Sequence, residues 1–454
     1  MITRITTRCF RMFTVLLFPS ILYAQSAVLE DYVKEGIKSN LTLRQENLEL
    51  EKSMETLTQV RALYMPRVYL NATYTLAYGG RRLQFPVGDL LNPVYATLNQ
   101  MTGTDKFPSV QNVDIQLAPN NFQETTIGFQ QSIFNSDIYF SYKIQKDLVS
   151  AQLARRNVYE NELRYTIVGA YYQYLQTLEA SKVLNQSKTI LQELLKLNQK
   201  LVTNNTATKD VVFSSEYEIS KIEQQLAFAE KNEQTARSYF NFLLNRDLTS
   251  SILIDSAVYT SAAQTSLTDL EQTALSNRQE IQQINHSIKA NENNIRLNRN
   301  NRLLPNVFVG GSVGYQGYGY TFDSSQQYAI AQFGLQWNIF KGGEKRSKEQ
   351  QSRIQANLLS SKFTELQQQI RLQVTQAYYD LQASRKSLTA AEEGLNKALQ
   401  SFRIIDSRYR NNQALLVEFL RAENDVTTAR LSVSIARYDL QAKQAQLNKV
   451  IALQ

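Results

Sequence analysis

The sequence has almost none of the residues that form disulfides or histidine-based catalytic and metal sites. Its single cysteine, Cys9, lies near the N-terminus, and His286 is the only histidine in 454 residues. One histidine per chain excludes a histidine-based metal site or a Ser-His-Asp triad within one subunit. No glycine-rich stretch is followed by Lys-Ser or Lys-Thr, as a phosphate-binding loop would require. We therefore expect no enzyme activity, no cofactor and no metal.

The chain also lacks a concentration of charge of one sign. It has 49 basic and 41 acidic residues, for a formal net charge of +8, and the two signs are mixed along its length. A nucleic-acid-binding protein would normally show a basic patch or stripe, so no nucleic-acid partner is expected. The many Gln, Asn, Lys and Glu residues in the periodic segments exclude helices embedded in lipid.

Residues 1–24 have the pattern of a secretory signal peptide. Three arginines precede an apolar run from Met12 to Tyr23, and Ala24 supplies a small residue at the expected cleavage point. The run is well short of the ~20 residues that span a bilayer, which makes a transmembrane anchor the weaker interpretation. Cleavage would send the chain out of the cytoplasm without its only cysteine, which excludes disulfides.

The remaining chain contains one long repeat. Ala170-Tyr171-Tyr172 recurs as Ala377-Tyr378-Tyr379, and Asn204-Asn205 recurs as Asn411-Asn412, both 207 residues later. A long period that occurs only twice indicates one duplicated structural unit rather than a solenoid. We expect three segments after the signal: a first repeat over residues 25–245, a linking segment over 246–266 and a second repeat over 267–454.

Apolar residues at three- and four-residue spacing predict three helices in each repeat. The predicted helices cover about Leu29–Leu63, Ser136–Val202, Lys209–Asn245, Leu267–Leu304, Gly343–Arg410 and Ala414–Ile451. At ~1.5 Å per residue, the long helix of each repeat reaches roughly 100 Å, close to the two short ones end to end. Helical patterns longer than about 25 residues indicate coiled-coil-like packing or structural repeats.

Alternating residues predict a pair of strands between the first and second helices of each repeat. These strands cover about Val68–Tyr78, Thr125–Phe134, Val307–Tyr315 and Ala329–Phe340. In the first of them, Val68 and Leu70 share one face with other apolar residues, while Asn71 and Thr73 lie on the opposite face. This alternation is typical of a membrane β-barrel wall, where ~9–11 residues cross the bilayer.

A soluble sheet packed on a helix would show the same alternation, but the adjacent polar helices could not cover such a sheet. Four strands cannot close a barrel, and open edges in lipid are costly, so the chain must oligomerise. The loops that join the strand pairs, about Gly79–Glu124 and Gln316–Gln327, are interpreted as polar and unequal in length. In the linking segment, Ile252–Ile254 allows one short strand against the helices.

Five short motifs resemble those of a known family. They are Leu63-Tyr64-Met65-Pro66-Arg67-Val68, Leu303-Leu304-Pro305-Asn306-Val307, Trp337-Asn338-Ile339-Phe340-Lys341-Gly342-Gly343, Ala377-Tyr378-Tyr379-Asp380-Leu381 and Glu418-Phe419-Leu420-Arg421-Ala422-Glu423. Together, in this order and duplicated, they are similar to the outer-membrane efflux protein family, the TolC-like exit ducts of Gram-negative bacteria. The resemblance covers Leu29 to about Ile451.

The resemblance implies a mostly α fold with a membrane β-barrel portion. Each subunit would supply long helices to an α-barrel across the periplasm and four strands to a 12-strand barrel closed by a homotrimer in the outer membrane. Such ducts passively conduct substrates in tripartite efflux or type I secretion systems, with a periplasmic adaptor and an inner-membrane transporter as partners and no catalysis. A secreted coiled-coil structural or adaptor protein without a membrane barrel is the competing hypothesis.

The resemblance also places a gate and adaptor contacts at the two helical turns. The candidate residues are Asn204, Asn205, Lys209, Asp210, Arg408, Tyr409, Asn411, Asn412, Glu418 and Arg421. Glu418 and Arg421 match the acidic ring positions of the family, so that one acid is kept and the other is replaced by a base. Tyr409 matches the gate tyrosine, whereas Ala414 stands at the gate arginine position. Because they are three residues apart, Glu418 and Arg421 share one helix face and can interact with each other or with charges on a neighbouring helix near Asp210 and Tyr409.

Several of these residues have a plainer structural interpretation. Asn205 and Asn412 are at turn positions that need a left-handed residue, a conformation that asparagine adopts more readily than most residues. Val211 matches the acidic position in the first repeat, and Asp210 precedes it, turned about 100° around the helix. The charged candidates are equally compatible with ordinary solvated helix surfaces.

Overall fold

The computed structural model describes residues 27–255 and 266–453. The expected signal peptide and residues 256–265 of the linking segment lie outside the described residues. The helices are α1 (Ala27–Ser39), α2 (Leu41–Ala62), α3 (Val87–Thr102), α4 (Ser136–Thr203), α5 (Asp210–Leu243), α6 (Leu267–Asn277), α7 (Gln279–Leu303), α8 (Glu344–Arg410) and α9 (Leu416–Val450). The strands are β1 (Arg67–Thr75), β2 (Arg82–Phe85), β3 (Val113–Gln116), β4 (Phe122–Phe134), β5 (Asn306–Tyr318) and β6 (Gln327–Gln336).

The long helices confirm the periodicity analysis. Helix α4 has 68 residues and α8 has 67, and both lie within one residue of their predicted bounds. Asn135 starts α4, because its side-chain Oδ1 accepts a hydrogen bond from the amide of Asp137 at 2.9 Å. Within residues 27–255 and 266–453, no helix is both long enough and apolar enough to cross a membrane.

The first predicted helix is interrupted at Asn40, between α1 and α2. Asn40 Oδ1 accepts hydrogen bonds from the amides of Thr42 (3.0 Å) and Leu43 (3.1 Å), so it caps a new helix. Its Nδ2 donates to the carbonyl of Leu243 at 3.0 Å, which ties the break to the end of α5. The prediction of one continuous helix was wrong here because apolar periodicity does not reveal a cap inside a helical pattern.

The second repeat has the corresponding break at Arg278, between α6 and α7. Arg278 is extended, with φ −65° and ψ 128°, and its guanidinium Nη1 donates to Gln373 Oε1 at 2.5 Å. The prediction of one continuous helix from Leu267 to Leu304 was therefore also wrong, because the helix is interrupted at Arg278.

By its internal contacts the chain divides into two units. One comprises the described residues of 1–48, 155–281 and 365–454, and the other comprises 49–154 and 282–364. The first unit contains the buried apolar cores of the helices. At one of them, Tyr32 packs edge-on against Phe240 with ring centroids 5.1 Å apart.

In the described part of the linking segment, Ile252–Ile254 lies against this core without forming the short strand that the sequence allows. Ile252–Ile254 has no strand pairing, although Ile252 is buried. The amide of Leu253 donates to the Tyr32 hydroxyl at 2.8 Å, and the Tyr171 hydroxyl donates to the Leu253 carbonyl at 3.1 Å. Tyrosine side chains therefore satisfy the backbone groups that a partner strand would have paired.

The second unit contains a four-stranded antiparallel sheet in the order β1-β4-β5-β6. The expected four strands are confirmed, with two corrections: β1 stops at Thr75 rather than at Tyr78, and β6 stops at Gln336 rather than continuing to Phe340. Asn306, the first residue of β5, pairs with Gln336, so the residues after Gln336 have no partner on that strand.

The predicted polar loop over Gly79–Glu124 is instead a folded insertion. It contains β2, α3 and β3, and the two strands pair antiparallel, with Arg82 opposite Gln116. The interpretation as a polar loop was wrong because Gly, Asn, Asp and Pro residues surround an apolar pattern at helical spacing in α3.

Candidate functional site

The sheet register gathers apolar side chains on one face. Leu70 lies opposite Ile127, Ile127 opposite Val313, and Val313 opposite Ala329. The large side chains of this face are exposed, Leu70 at 70% and Phe333 at 71%. A contiguous exposed apolar face of this kind marks a surface that another molecule or a membrane covers.

The opposite face of the same sheet is mainly polar or small, and its large exceptions include Tyr69, Phe308 and Ile330. One row across the strands consists of Arg67, Gln130, Gly310 and Gln332. The predicted two-faced character of the strands is therefore confirmed by the pairing register, since directly opposed residues point to the same side. Within the subunit β1 and β6 are edge strands, each with one unpaired side.

The two helical turns have the same backbone geometry. Asn205 has φ 55° and Asn412 has φ 56°, which confirms the expected left-handed residue in both turns. After each of them, the next amide closes the helix end: Thr206 donates to Leu201 O at 2.9 Å, and Gln413 donates to Arg408 O at 2.8 Å. Each asparagine therefore terminates its long helix in the manner usual for glycine.

Several of the remaining candidate residues stabilise these turns locally. Arg408 Nη2 donates to the Gln413 carbonyl at 2.9 Å, and Asn411 Nδ2 donates to the Ser407 carbonyl at 2.8 Å. The helices on either side of each turn form a helical hairpin, α4 with α5 in the first and α8 with α9 in the second. In the first hairpin, Asn204 is exposed, Lys209 is the residue before α5, and the Asp210 carboxylate accepts a hydrogen bond from the Thr208 hydroxyl.

Glu418 also acts locally. Its Oε2 accepts a hydrogen bond from the amide of Leu415 at 2.8 Å, which satisfies a free donor at the start of α9. Arg421 is exposed, and among the described residues it forms no ion pair with Glu418. The expected Glu418–Arg421 interaction is therefore replaced by a helix cap.

Tyr409 is the candidate that joins the two hairpins. Its hydroxyl donates to Asn198 Oδ1 at 2.7 Å, and Asn198 Nδ2 donates to Ser215 Oγ at 2.8 Å. Asn198 and Ser215 are fully buried, and Tyr409 is 6% exposed. Burial raises the pKa of the Tyr409 hydroxyl, so it remains a donor at neutral pH. One polar network thus connects α8 to α4 and α5.

A second buried polar contact lies further along α9. Glu423 accepts hydrogen bonds from Ser187 Oγ of α4 at 2.5 Å and from Thr427 Oγ1 at 2.8 Å. Burial raises the pKa of the Glu423 carboxyl, an effect that these hydrogen bonds partly oppose. The sequence analysis used Glu423 only as a family motif residue. Its position between Phe419 and Val426 on the buried face was the signal for this role.

Helices α8 and α9 leave an open groove between them. Residues at three- and four-residue spacing line both sides, and all of them except Asp425 are small: Ala391, Gly394, Ala398 and Ser401 on α8, and Ala422, Asp425, Ala429 and Ser432 on α9. Lys397 and Thr428 complete the lining. A methyl group added at Gly394 would meet nothing within 4 Å, so the groove has room for side chains of another helix.

The described residues contain no group of three or more His, Cys, Asp or Glu side chains that could hold a metal ion.

Comparison with known proteins adds family and fold information. Residues 270–453 match the model of the outer membrane efflux protein family. A comparison with curated proteins finds no match. Among solved structures, the fold is similar to the outer membrane protein VceC of Vibrio cholerae, with 14% identity, a TM-score of 0.74, and 93% of this chain and 95% of that chain covered.

Two further channel structures show the same likeness. The CmeC outer membrane channel of Campylobacter jejuni has 12% identity and a TM-score of 0.75, with 94% of this chain and 85% of that chain covered. The open state of the MtrE outer membrane channel of Neisseria gonorrhoeae has 15% identity and a TM-score of 0.73, with 93% and 88% covered. The resemblance inferred from the motifs is confirmed: residues 270–453 match the model of the outer membrane efflux protein family, and the chain has the fold of these outer-membrane channels.

Proposed function

We propose that the protein is a trimeric outer-membrane exit duct of a Gram-negative bacterium. Three subunits each supply the sheet β1-β4-β5-β6 to one closed barrel, and the long helices continue the duct through the periplasm. The duct passively conducts substrates delivered by an inner-membrane transporter, within a tripartite efflux or type I secretion system. It catalyses no reaction and needs no cofactor.

The observation that carries this proposal is the exposed apolar sheet face with open edges. Open strand edges in lipid would leave backbone groups without hydrogen bonds, so the edges β1 and β6 must pair with neighbouring subunits. A secreted coiled-coil protein would have no use for an apolar face that Leu70, Phe333 and Leu335 expose to the surroundings.

The test is assembly of paired variants in detergent. An outward basic side chain near mid-membrane costs roughly 2–4 kcal/mol, whereas the lumen side tolerates charge. We expect Leu70→Arg to lower the yield of outer-membrane trimers and Asn71→Arg, the matched control one residue away, to leave it near wild type. A stable monomer that keeps its strands in micelles would refute the duct, and so would equal tolerance of both variants.

The groove between α8 and α9 supports a periplasmic adaptor as partner. Its lining of small residues lets a partner helix approach closely, and Lys397 and Asp425 offer one charge of each sign. We expect Gly394→Leu, which fills the groove, to reduce cross-linking to a periplasmic adaptor protein. Asn396→Leu, on another side of α8, is the control. Equal cross-linking in both variants would show that the adaptor binds elsewhere.

A further inference from the structure

The insertion between β1 and β4 has a helix that is anchored to its own chain by two asparagines and a tyrosine. Asn92 and Asn99 face the body of the insertion, and each makes two hydrogen bonds with backbone groups. Asn92 Nδ2 donates to Val110 O at 2.9 Å, and its Oδ1 accepts from Val110 N at 2.7 Å. Asn99 makes the equivalent pair with Phe107, at 2.8 and 3.1 Å. Tyr95 of the same side packs on Phe107, with ring centroids 5.7 Å apart. This side of α3 is therefore fixed to its own chain by polar and apolar contacts.

The opposite side of α3 is apolar and exposed. Leu90, Val94 and Met101 are 69%, 52% and 78% exposed, and Thr97 completes the same stripe at helical spacing. We name these four positions the α3 stripe. A well-anchored helix that directs its apolar side outward indicates a surface that is covered in the assembled protein.

The chemistry of the stripe argues against an anionic lipid or another polyanion as the occupant. Asp89 is the only charged residue of α3, and no Lys or Arg occurs between Leu83 and Asp105. Binding to anionic headgroups needs clusters of basic residues beside the apolar face. A stripe without charges is instead suited to contact with the same stripe on a second copy of this chain.

The position of the insertion favours a second copy of this chain. The insertion leaves the sheet at the end of β1, an edge strand, and it joins β1 to β4 at the strand ends opposite those that continue into α2 and α4. Its base is fixed, because the amide of Ala77 donates to Asn120 Oδ1 at 3.1 Å and Gln116 Nε2 donates to Ala77 O at 3.1 Å. An insertion rooted on an edge strand lies beside whatever subunit pairs with that edge.

We propose that the α3 stripes of adjacent subunits pack against one another and hold the three insertions together at the outer end of the barrel. The inference rests on the proposed trimeric duct, since only a closed assembly gathers the insertions around one axis. The contact forms a cap over the outer opening of the duct.

The test uses cysteine cross-linking, because the chain has no cysteine other than Cys9. Val94→Cys and Met101→Cys, treated in whole cells with a short bismaleimide, should yield linked subunits. Ala96→Cys is the matched control, since it is exposed on α3 but about 130° around the helix from the stripe. Adding Leu90→Gln should lower the linked fraction of Val94→Cys to that of the control.

Size measurement of the same samples separates the two proposals. Trimers whose stripe cysteines link no better than Ala96→Cys would overturn the cap and leave the duct standing. Absence of trimers would overturn the duct itself. A polarity-sensitive dye on Met101→Cys that responds only when vesicles are added would identify a membrane surface as the occupant and also overturn the cap.

Discussion

In the proposed duct, we expect closure to depend on the contact between the two helical hairpins, so replacing Tyr409 with phenylalanine should shift the duct toward an open state. The hydroxyl of Tyr409 donates to Asn198 Oδ1 at 2.7 Å, and the Asn198 side chain is fully buried. Tyr409→Phe keeps the ring, which packs 5.3 Å from Phe419, and removes only the donor. The acceptor of Asn198 then loses this partner while it remains shielded from water. When the hairpins separate, water reaches Asn198. The cost of the unsatisfied acceptor therefore applies only while the hairpins are paired.

The size of the effect follows from the burial. An unsatisfied buried polar group costs about 1–3 kcal/mol, which corresponds to about 5- to 140-fold in the equilibrium between paired and separated hairpins. The costs add if three subunits separate together. Exposed ion pairs contribute only about 0–1 kcal/mol each. The buried network should therefore dominate over charges such as Glu418 and Arg421 at the turns.

Single-channel conductance in planar bilayers measures this equilibrium. We expect Tyr409→Phe to raise the open fraction without lowering the yield of trimers. Tyr217→Phe is the matched control, because Tyr217 of α5 is 66% exposed and should lose nothing measurable with its hydroxyl. An open fraction for Tyr409→Phe equal to that of Tyr217→Phe, with trimers intact, would show that closure does not depend on this network.

Three further changes test the helical unit. Glu423→Gln should raise the melting temperature at neutral pH and have little effect in acid. Burial raises the pKa of the Glu423 carboxyl above its ordinary 4.5, so the wild-type protein loses stability as the pH rises through that range and the carboxyl ionises. A difference in melting temperature that does not depend on pH would contradict this. Asn40→Ala should lower the free energy of unfolding by about 0.5–2 kcal/mol through loss of the α2 cap. Asn40→Asp keeps the acceptor and should keep most of the stability, which thermal unfolding measures. Glu418→Ala with Arg421→Ala should raise conductance less than Tyr409→Phe does, since Glu418 caps α9 rather than binding Arg421; a larger rise would assign closure to the charges.

Apolar periodicity was sufficient to predict the long helices and the sheet faces. Both depend on spacing along the sequence, which reports directly on the side of a helix or strand that is apolar. The break at Asn40 was missed, since asparagine there looks like any polar residue of a helix surface. Its role depends on the carbonyl of Leu243, which is distant in sequence. Helix α3 was missed because its apolar stripe lies among turn-forming residues.

The positions of the two helical turns were predicted, but the contacts of their side chains were not. Family resemblance identified Tyr409, whereas Asn198 has no sequence signal except that it follows Leu191 and Leu194 at the spacing of a buried face. Its hydrogen bond to Tyr409 joins residues 211 positions apart. Single-sequence reasoning has no access to such pairings between distant helices.

The two hairpins share the same asparagine turn but differ in the residues at their buried polar positions. At the 207-residue offset, Asn198 corresponds to Ile405 and Tyr409 corresponds to Val202. If two first hairpins were paired, Asn198 would meet a valine and would lack its hydrogen-bond donor, at a cost that a first–second pair avoids. A buried polar pair between unlike hairpins therefore favours their alternation, while the shared asparagine turns preserve equal helix ends. Divergence between the repeats, rather than the repeat itself, specifies which hairpins are neighbours.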